Sequence, residues 1–455
     1  MGSHASAHTA PPRTPAQVTE DGLRTLSQGG VQFRIALWAL GFLVLLGLVG
    51  FVIRAVGGAG DRAAWGYYAA MFAFLLSTAG SAPLVSIALR MAKGHWRRPL
   101  SRAAELFAVV GAFNVLWFIP MLWLVPSAKG RHTLWFDWPL APQLWDMLAV
   151  AGLALCGLGV LYVGALPDLA AARDRAPATR ARRKLWARLA LGWKGTTRQW
   201  KLMKWGQASL GGMFFMLLIM VHSLIATDFA ISLVPGWKDA LFPAYHALSS
   251  LQAAIATVLV TLFLLRQVGG LREYVHVDQF WALSKLLLAL SLLWFYFWWS
   301  GFIVMWYGRQ PGEQNLLKLF MFGPYRPVFF LVFFFNFLVP VALLIWNRVR
   351  KSILGPTLVG ISILIGTFFD RIRIYVAAFS VEEAGHALEQ VPSAHLPDVA
   401  DILIIIGGLA VIPFLYLLSS RLVPLLSIWE MKEGHRLSER RRFLQTDVTV
   451  LAKPE

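Results

Sequence analysis

The sequence has 455 residues, of which 57% are hydrophobic and only 15% charged, yet its formal net charge is +18, from 42 Lys and Arg against 24 Asp and Glu. Soluble domains carry roughly a quarter charged residues. A chain this apolar excludes a disordered protein, a disulfide scaffold and a nucleic-acid binder, and predicts a polytopic membrane protein.

Residues 1–33 are polar, rich in Pro, Ala and Thr, and read as an unstructured tail with no cleavable signal peptide. Ten apolar segments follow that are long enough to span a bilayer, at roughly 35–57, 65–92, 103–127, 142–165, 206–233, 242–267, 281–306, 327–347, 353–378 and 399–424. They are Leu-, Ala-, Phe- and Trp-rich without alternation, so helices are expected rather than a barrel. An even count puts both termini on one side. The loop 93–102 carries Lys93, Arg97, Arg98 and Arg102, segment 166–205 carries eleven basic residues against Asp168 and Asp174, and Arg348, Arg350 and Lys351 follow the eighth span. All fall on the side of the termini, whereas loop 379–399 holds Glu382, Glu383, Glu389 and Asp398 with no base. Positive charge marks the cytoplasmic side, so both termini are expected there. The basic segment suits anionic lipid or a docking partner. Trp65, Tyr67, Tyr68, Trp193, Trp200, Trp205, Trp306 and Tyr307 fall near span ends and predict an interfacial belt.

Ionisable groups inside hydrocarbon are costly and are site candidates by default. In chain order they begin with Glu105, at the start of the third span, which also fits a snorkelling or capping role. Asp146 opens the fourth span. The lone cysteine, Cys156, excludes a disulfide, and with no CxxC or CxxCH the chain is expected to bind no metal, iron–sulfur cluster or covalent haem by itself. His222 and Asp228 lie on the fifth span, six residues and about 9 Å apart along the axis and on different faces. Lys285 is at the inner start of the seventh span. In FFDRIRIYV, Arg373 is three residues from Asp370 and shares its face, whereas Arg371 is adjacent and does not. Asp401 begins the tenth span as a helix cap. Ser77, Thr78, Ser81 and Ser86 add hydroxyls on the second span.

Several stretches, in order, resemble the NrfD/PsrC-like membrane subunits: PLSRAAELFAV, LPDLAAARDRA, LGWKGTTRQW, VHSLIATDFAISLVPGWKDALFPAY, WYGRQPGEQ with FGPYRPVFFLVFFFNFLVP, and FFDRIRIYV. Within that family they are most similar to the ActC subunit of alternative complex III, over about residues 60–432. The resemblance implies an all-α membrane fold of about ten transmembrane helices, with two four-helix bundles related by pseudo-two-fold symmetry. The bundles would occupy 65–233 and 234–378, flanked by a first helix and loop at 34–64 and an external loop and last helix at 379–424, with a cytoplasmic tail at 425–455.

It also implies a multi-pass protein of the bacterial inner membrane, in a respiratory electron-transfer complex. That complex would oxidise quinol or menaquinol and pass electrons to an iron–sulfur subunit and multihaem cytochrome c subunits, beside a paralogous NrfD-like subunit and lipids, with proton translocation. The chain itself would bind no redox cofactor. Asp146 matches the family's quinone-pocket carboxylate. His222, Asp228, Glu105, Asp370 and Arg371 match motif positions for catalysis, proton handling or buried ion pairs, a group to which Arg373 and Lys285 are added. Two departures stand out. AGSAP places Gly80 near a family histidine, and LWFIPMLWLVP leaves nothing ionisable between Asn114 and Lys129, where the family has another. A membrane anchor or proton-path subunit with a degenerate quinone site is the alternative. A secondary transporter fits less well, because paired broken spans are not evident.

Overall fold

The computed structural model describes residues 13–27, 29–124, 135, 138–381, 387–443 and 446–451. Glu382, Glu383 and Lys129, named above, lie outside them. The chain is all-α apart from one C-terminal hairpin, and among the described residues eight helices are long and apolar enough to cross a membrane.

The expected N-terminal tail contains a helix, α1 (Pro15–Ser27). Its residues Val18, Leu23 and Leu26 recur on one face and are buried, which is why a largely polar segment folds. The first span, α2 (Val31–Val56), buries only Gly47 and Gly50 and leaves Trp38, Phe42, Leu45 and Val52 exposed, as a lipid-facing helix does. The second span is broken into α3 (Gly66–Ser77) and α4 (Pro83–Met91). Pro83 has no N–H for the next helical bond, and Gly80 packs so closely that a Cβ would lie 2.9 Å from Asn114 Nδ2 and from Leu76 O. Gly80 therefore has no room for a side chain.

α5 (Arg98–Glu105) and α6 (Ala108–Leu124) make the third span. α7 (Gln143–Arg175) extends ten residues past the expected fourth span, so Asp168 lies on a helix rather than in a loop. After α8 (Arg180–Leu189), α9 (Thr197–Phe229) starts at a capping box in which Thr196 and Gln199 cap each other's backbone.

α10 (Phe242–Gln267) and α11 (Val277–Gly308) follow, then α12 (Pro311–Leu317). The eighth span is α13 (Arg326–Phe333) and α14 (Val339–Leu344), joined through a π-turn at Phe334–Leu338. The short α15 (Asn347–Arg350) leads to α16 (Leu354–Arg371), which passes through another π-turn, Ile372–Val376, into α17 (Ala377–Phe379). α18 (Val399–Ser419) is the last span, and α19 (Ile428–Leu437) lies beyond it. Asp398, rather than Asp401, is the N-cap of α18. Asp401 closes the capping box and pairs with Arg54 at 2.8 Å. A hairpin, β1 (Ser438–Phe443) with β2 (Thr446–Leu451), ends the described chain.

Helices α3, α4, α6, α7 and α9 pack on one another, and α10, α11, α13, α14 and α16 do likewise. The two groups meet where α10 crosses α9 and where α3 lies against α16 and its π-turn. α2 and α18 pair along their length, and α18 leans on α3 and α6. The aromatic belt divides. Trp205, Trp306 and Tyr307 are exposed as expected, whereas Trp65, Tyr67 and Tyr68 are buried, with the Tyr68 hydroxyl donating to Trp117 O at 2.8 Å.

Candidate functional site

Three buried polar clusters lie among the helices, and the ionisable sequence candidates other than Lys285 and Asp401 fall in them. The first sits where the two groups meet. Asp370, near the end of α16, accepts from Arg373 Nη2 at 2.7 Å, from the Tyr245 hydroxyl at 3.1 Å and from Arg371 Nη1 at 3.2 Å. Helix spacing assigns Arg373 to this carboxylate. Arg371 joins it against the expectation, because its long side chain reaches round the helix. That guanidinium also donates to Ser77 Oγ at 3.0 Å and Ser249 Oγ at 2.5 Å, tying α3 and α10 to α16.

Beside it runs a file of hydrogen bonds. Tyr375 OH is 2.9 Å from His246 Nε2, the two Nδ1 atoms of His246 and His222 are 3.1 Å apart, and His222 Nε2 is 3.1 Å from Ser81 Oγ. Ser81 donates to Leu76 O at 2.7 Å, a carbonyl freed by the break between α3 and α4. With both rings neutral, one set of tautomers satisfies every atom. Tyr375 donates to His246, His246 Nδ1–H donates to His222 Nδ1, and His222 Nε2–H donates to Ser81. Such a file can relay a proton, because each member both donates and accepts. His246, Tyr245 and Tyr375 were not singled out from the sequence. His246 sits in the apolar run 242–267 and meets the same criterion as His222.

The second cluster lies at the end remote from the basic loops. Asp146, in the first turn of α7, accepts from Trp135 Nε1 at 2.7 Å, and the carboxyl of Asp228, on α9, lies beside it. Both residues are buried. Two buried carboxyl groups in contact need a proton between them. So Asp228 joins Asp146 while His222 joins His246, as their separate faces on α9 require. Towards the bundle interior, Phe229, next to Asp228, packs edge-on against Phe118 at 5.4 Å, and Phe118 stacks on Phe72 at 5.0 Å.

The third cluster is at the basic end. Glu105 accepts from Ser86 at 2.9 Å and Arg90 at 2.5 Å, and pairs with Arg102 at 3.3 Å. Arg102 also bridges to Asp168 at 2.9 Å. Glu430, from α19, joins Arg90 at 2.9 Å and Arg97 at 2.6 Å. Burial pushes the Glu430 carboxyl up, but the Arg90 and Arg97 guanidiniums outweigh this and hold it at about 2. Glu105 is thus part of a buried ion network, and Asp168, Arg102 and Glu430 are members that the loop reading of the sequence hid. Lys285 belongs to none of these clusters. It is exposed, with its ammonium 3.7 Å above the Trp281 ring, which corrects its place among the buried ion pairs. Among the described residues no group of His, Cys, Asp and Glu side chains is arranged to hold a metal ion.

No curated protein matches the chain significantly. The polysulphide reductase NrfD family matches residues 56–381, which takes in all three clusters except Glu430. Members of that family bind quinone and partner iron–sulfur subunits. The chain belongs to the NrfD family and is a multi-pass membrane subunit of a quinone-interacting redox complex.

Proposed function

We propose that the chain serves quinol oxidation in a respiratory complex of the alternative complex III type, in the bacterial inner membrane with both termini cytoplasmic. Electrons pass to an iron–sulfur subunit and on to multihaem cytochrome c, and a paralogous NrfD-like subunit and lipids complete the surroundings. The observation that supports this reading is the buried Asp146–Asp228 pair under Trp135. Oxidation of a quinol to quinone releases two electrons and two protons. The electrons leave to the partner's cluster, and the protons need an acceptor at the ring. A carboxyl pair sharing one proton both accepts a hydrogen bond and takes up a further proton. The file from Tyr375 to Ser81, with Asp370 and its arginines, handles protons deeper in the membrane.

Asp146→Asn removes the group that takes up the proton and keeps the shape. In the assembled complex it lowers quinol oxidation by about a hundredfold or more, the usual magnitude of general-base loss. Thermal stability measured alongside shows that assembly is intact. Unchanged quinol oxidation in that variant would support the second reading, a membrane anchor or proton-path subunit with a degenerate site. The Phe72–Phe118–Phe229 ring stack favours that alternative, because it fills the interior of the first group beneath the carboxyl pair.

A further inference from the structure

The second group of helices, at the end remote from the basic loops, encloses a pocket of about 580 Å³, measured to its open mouth. Its walls are chiefly Trp237, Phe242, Phe297, Trp298, Phe302 and Phe320. Flat aromatic walls suit a flat ring. Polar groups are few. The Tyr245 hydroxyl is committed to Asp370, and the Asp239 carboxylate is committed to the backbone N–H groups of Leu241 and Phe242, at 2.8 and 3.1 Å. Two donors remain. Arg373 and Trp298 both line the pocket, and the Nε–H of the one and the Nε1–H of the other are buried without an acceptor among the described residues. Arg373 is 4% exposed and its Nη2 is fixed to Asp370, so its Nε is held in place. Buried donors of this kind call for acceptor oxygens from a ligand.

We infer that this pocket binds a flat ring carrying carbonyl oxygens, of the chemical class of membrane quinones. The ring lies between the aromatic walls and its oxygens accept from Arg373 Nε and Trp298 Nε1. The site is in the opposite half from the Asp146–Asp228 pair. An acyl chain would leave both donors unmet. A phosphate headgroup would meet an apolar wall and the Asp239 carboxylate. The inference rests on the reading that a quinone is this subunit's ligand.

The test is photolabelling of the assembled complex in detergent with an arylazido-naphthoquinone, followed by mass-spectrometric mapping. Saturable adducts are expected within residues 294–305 or 316–322. Trp298→Phe keeps the ring and removes the donor, and raises the probe concentration for half-saturation about fivefold, the worth of one hydrogen bond. Gly301→Leu fills the pocket and abolishes labelling there. Neither variant touches the Asp370 ion cluster, and both are checked for unchanged melting. Adducts confined to peptides around Asp146 would overturn the pocket and leave the quinone reading standing. No saturable labelling anywhere would overturn both. Labelling in the pocket that is indifferent to Trp298→Phe and Gly301→Leu would overturn the assignment of its donors and walls.

Discussion

Asp370 is the carboxylate shared by two buried guanidiniums. Arg371 and Arg373 are 0% and 4% exposed on their side chains and Asp370 is 1% exposed, with pair distances of 3.2 and 2.7 Å. Removing the shared partner leaves two buried cations. Asp370→Ala is therefore expected to destabilise by about 3–5 kcal/mol, read as a lower melting temperature of the purified complex. Asp370→Asn retains an acceptor oxygen for Tyr245 and Arg373 and is expected to cost less. Equal melting for Asp370→Ala and the parent chain would remove the claim that this carboxylate organises the junction. The Asp370–Arg373 pair is legible in the sequence because i,i+3 spacing is local. The meeting of His222 with His246 is not, since it depends on how α9 and α10 lie against each other. Nor is the role of Ser81, whose hydroxyl reaches His222 only because the second span breaks beside it.

Helix positions and the apolar character of the spans were readable from hydropathy alone; interruptions and pairing were not. Span α2 shows why. Its hydropathy is high all round, so nothing in its periodicity points to a partner. The contact is made by glycines: a Cβ on Gly47 would lie 2.5 Å from Gly407 Cα, and one on Gly50 would lie 2.7 Å from Ala400 O. Small residues let membrane helices approach where no hydrophobic effect drives them together. Arg54 then closes one end onto Asp398 at 2.7 Å and Asp401 at 2.8 Å. Gly407→Leu forces the two backbones apart. It is expected to cost about 1–3 kcal/mol or more and to raise amide hydrogen exchange in α2 and α18 while leaving α7 and α9 protected. Exchange rising equally in every helix would mean that α2 and α18 are not a separable pair.

Across the whole molecule, the positive charge that looked out of place in so apolar a chain has two uses. Much of it stays in the basic segment 166–205, at one end of the bundle. Part of it is turned inward, where Arg90, Arg97 and Arg102 face Glu105, Asp168 and Glu430. That network fastens α19 to the spans, together with Trp429, whose backbone N–H donates to Asp168 at 3.2 Å and whose Nε1 donates to Gly164 O at 2.9 Å. Net charge read from sequence counts both uses alike, so the clamp was hidden within an orientation signal.

The clamp has a defined pH response. In the folded chain the Glu430 carboxyl sits at about 2, below its ordinary 4.5. A carboxylate with a depressed folded value stabilises above the unfolded value and loses that contribution as pH falls through the folded one. Docking of α19 is therefore expected to be constant from neutral pH down to about 4.5 and to weaken progressively from there towards about 2. Hydrogen exchange of residues 428–437, followed from pH 7 to pH 3 and corrected for intrinsic rates, measures it. Glu430→Gln should leave α19 loosened at every pH and flatten the acid-side dependence. If the parent chain releases α19 by pH 6, or if Glu430→Gln keeps the same acid midpoint, then the arginines do not act on α19 through Glu430.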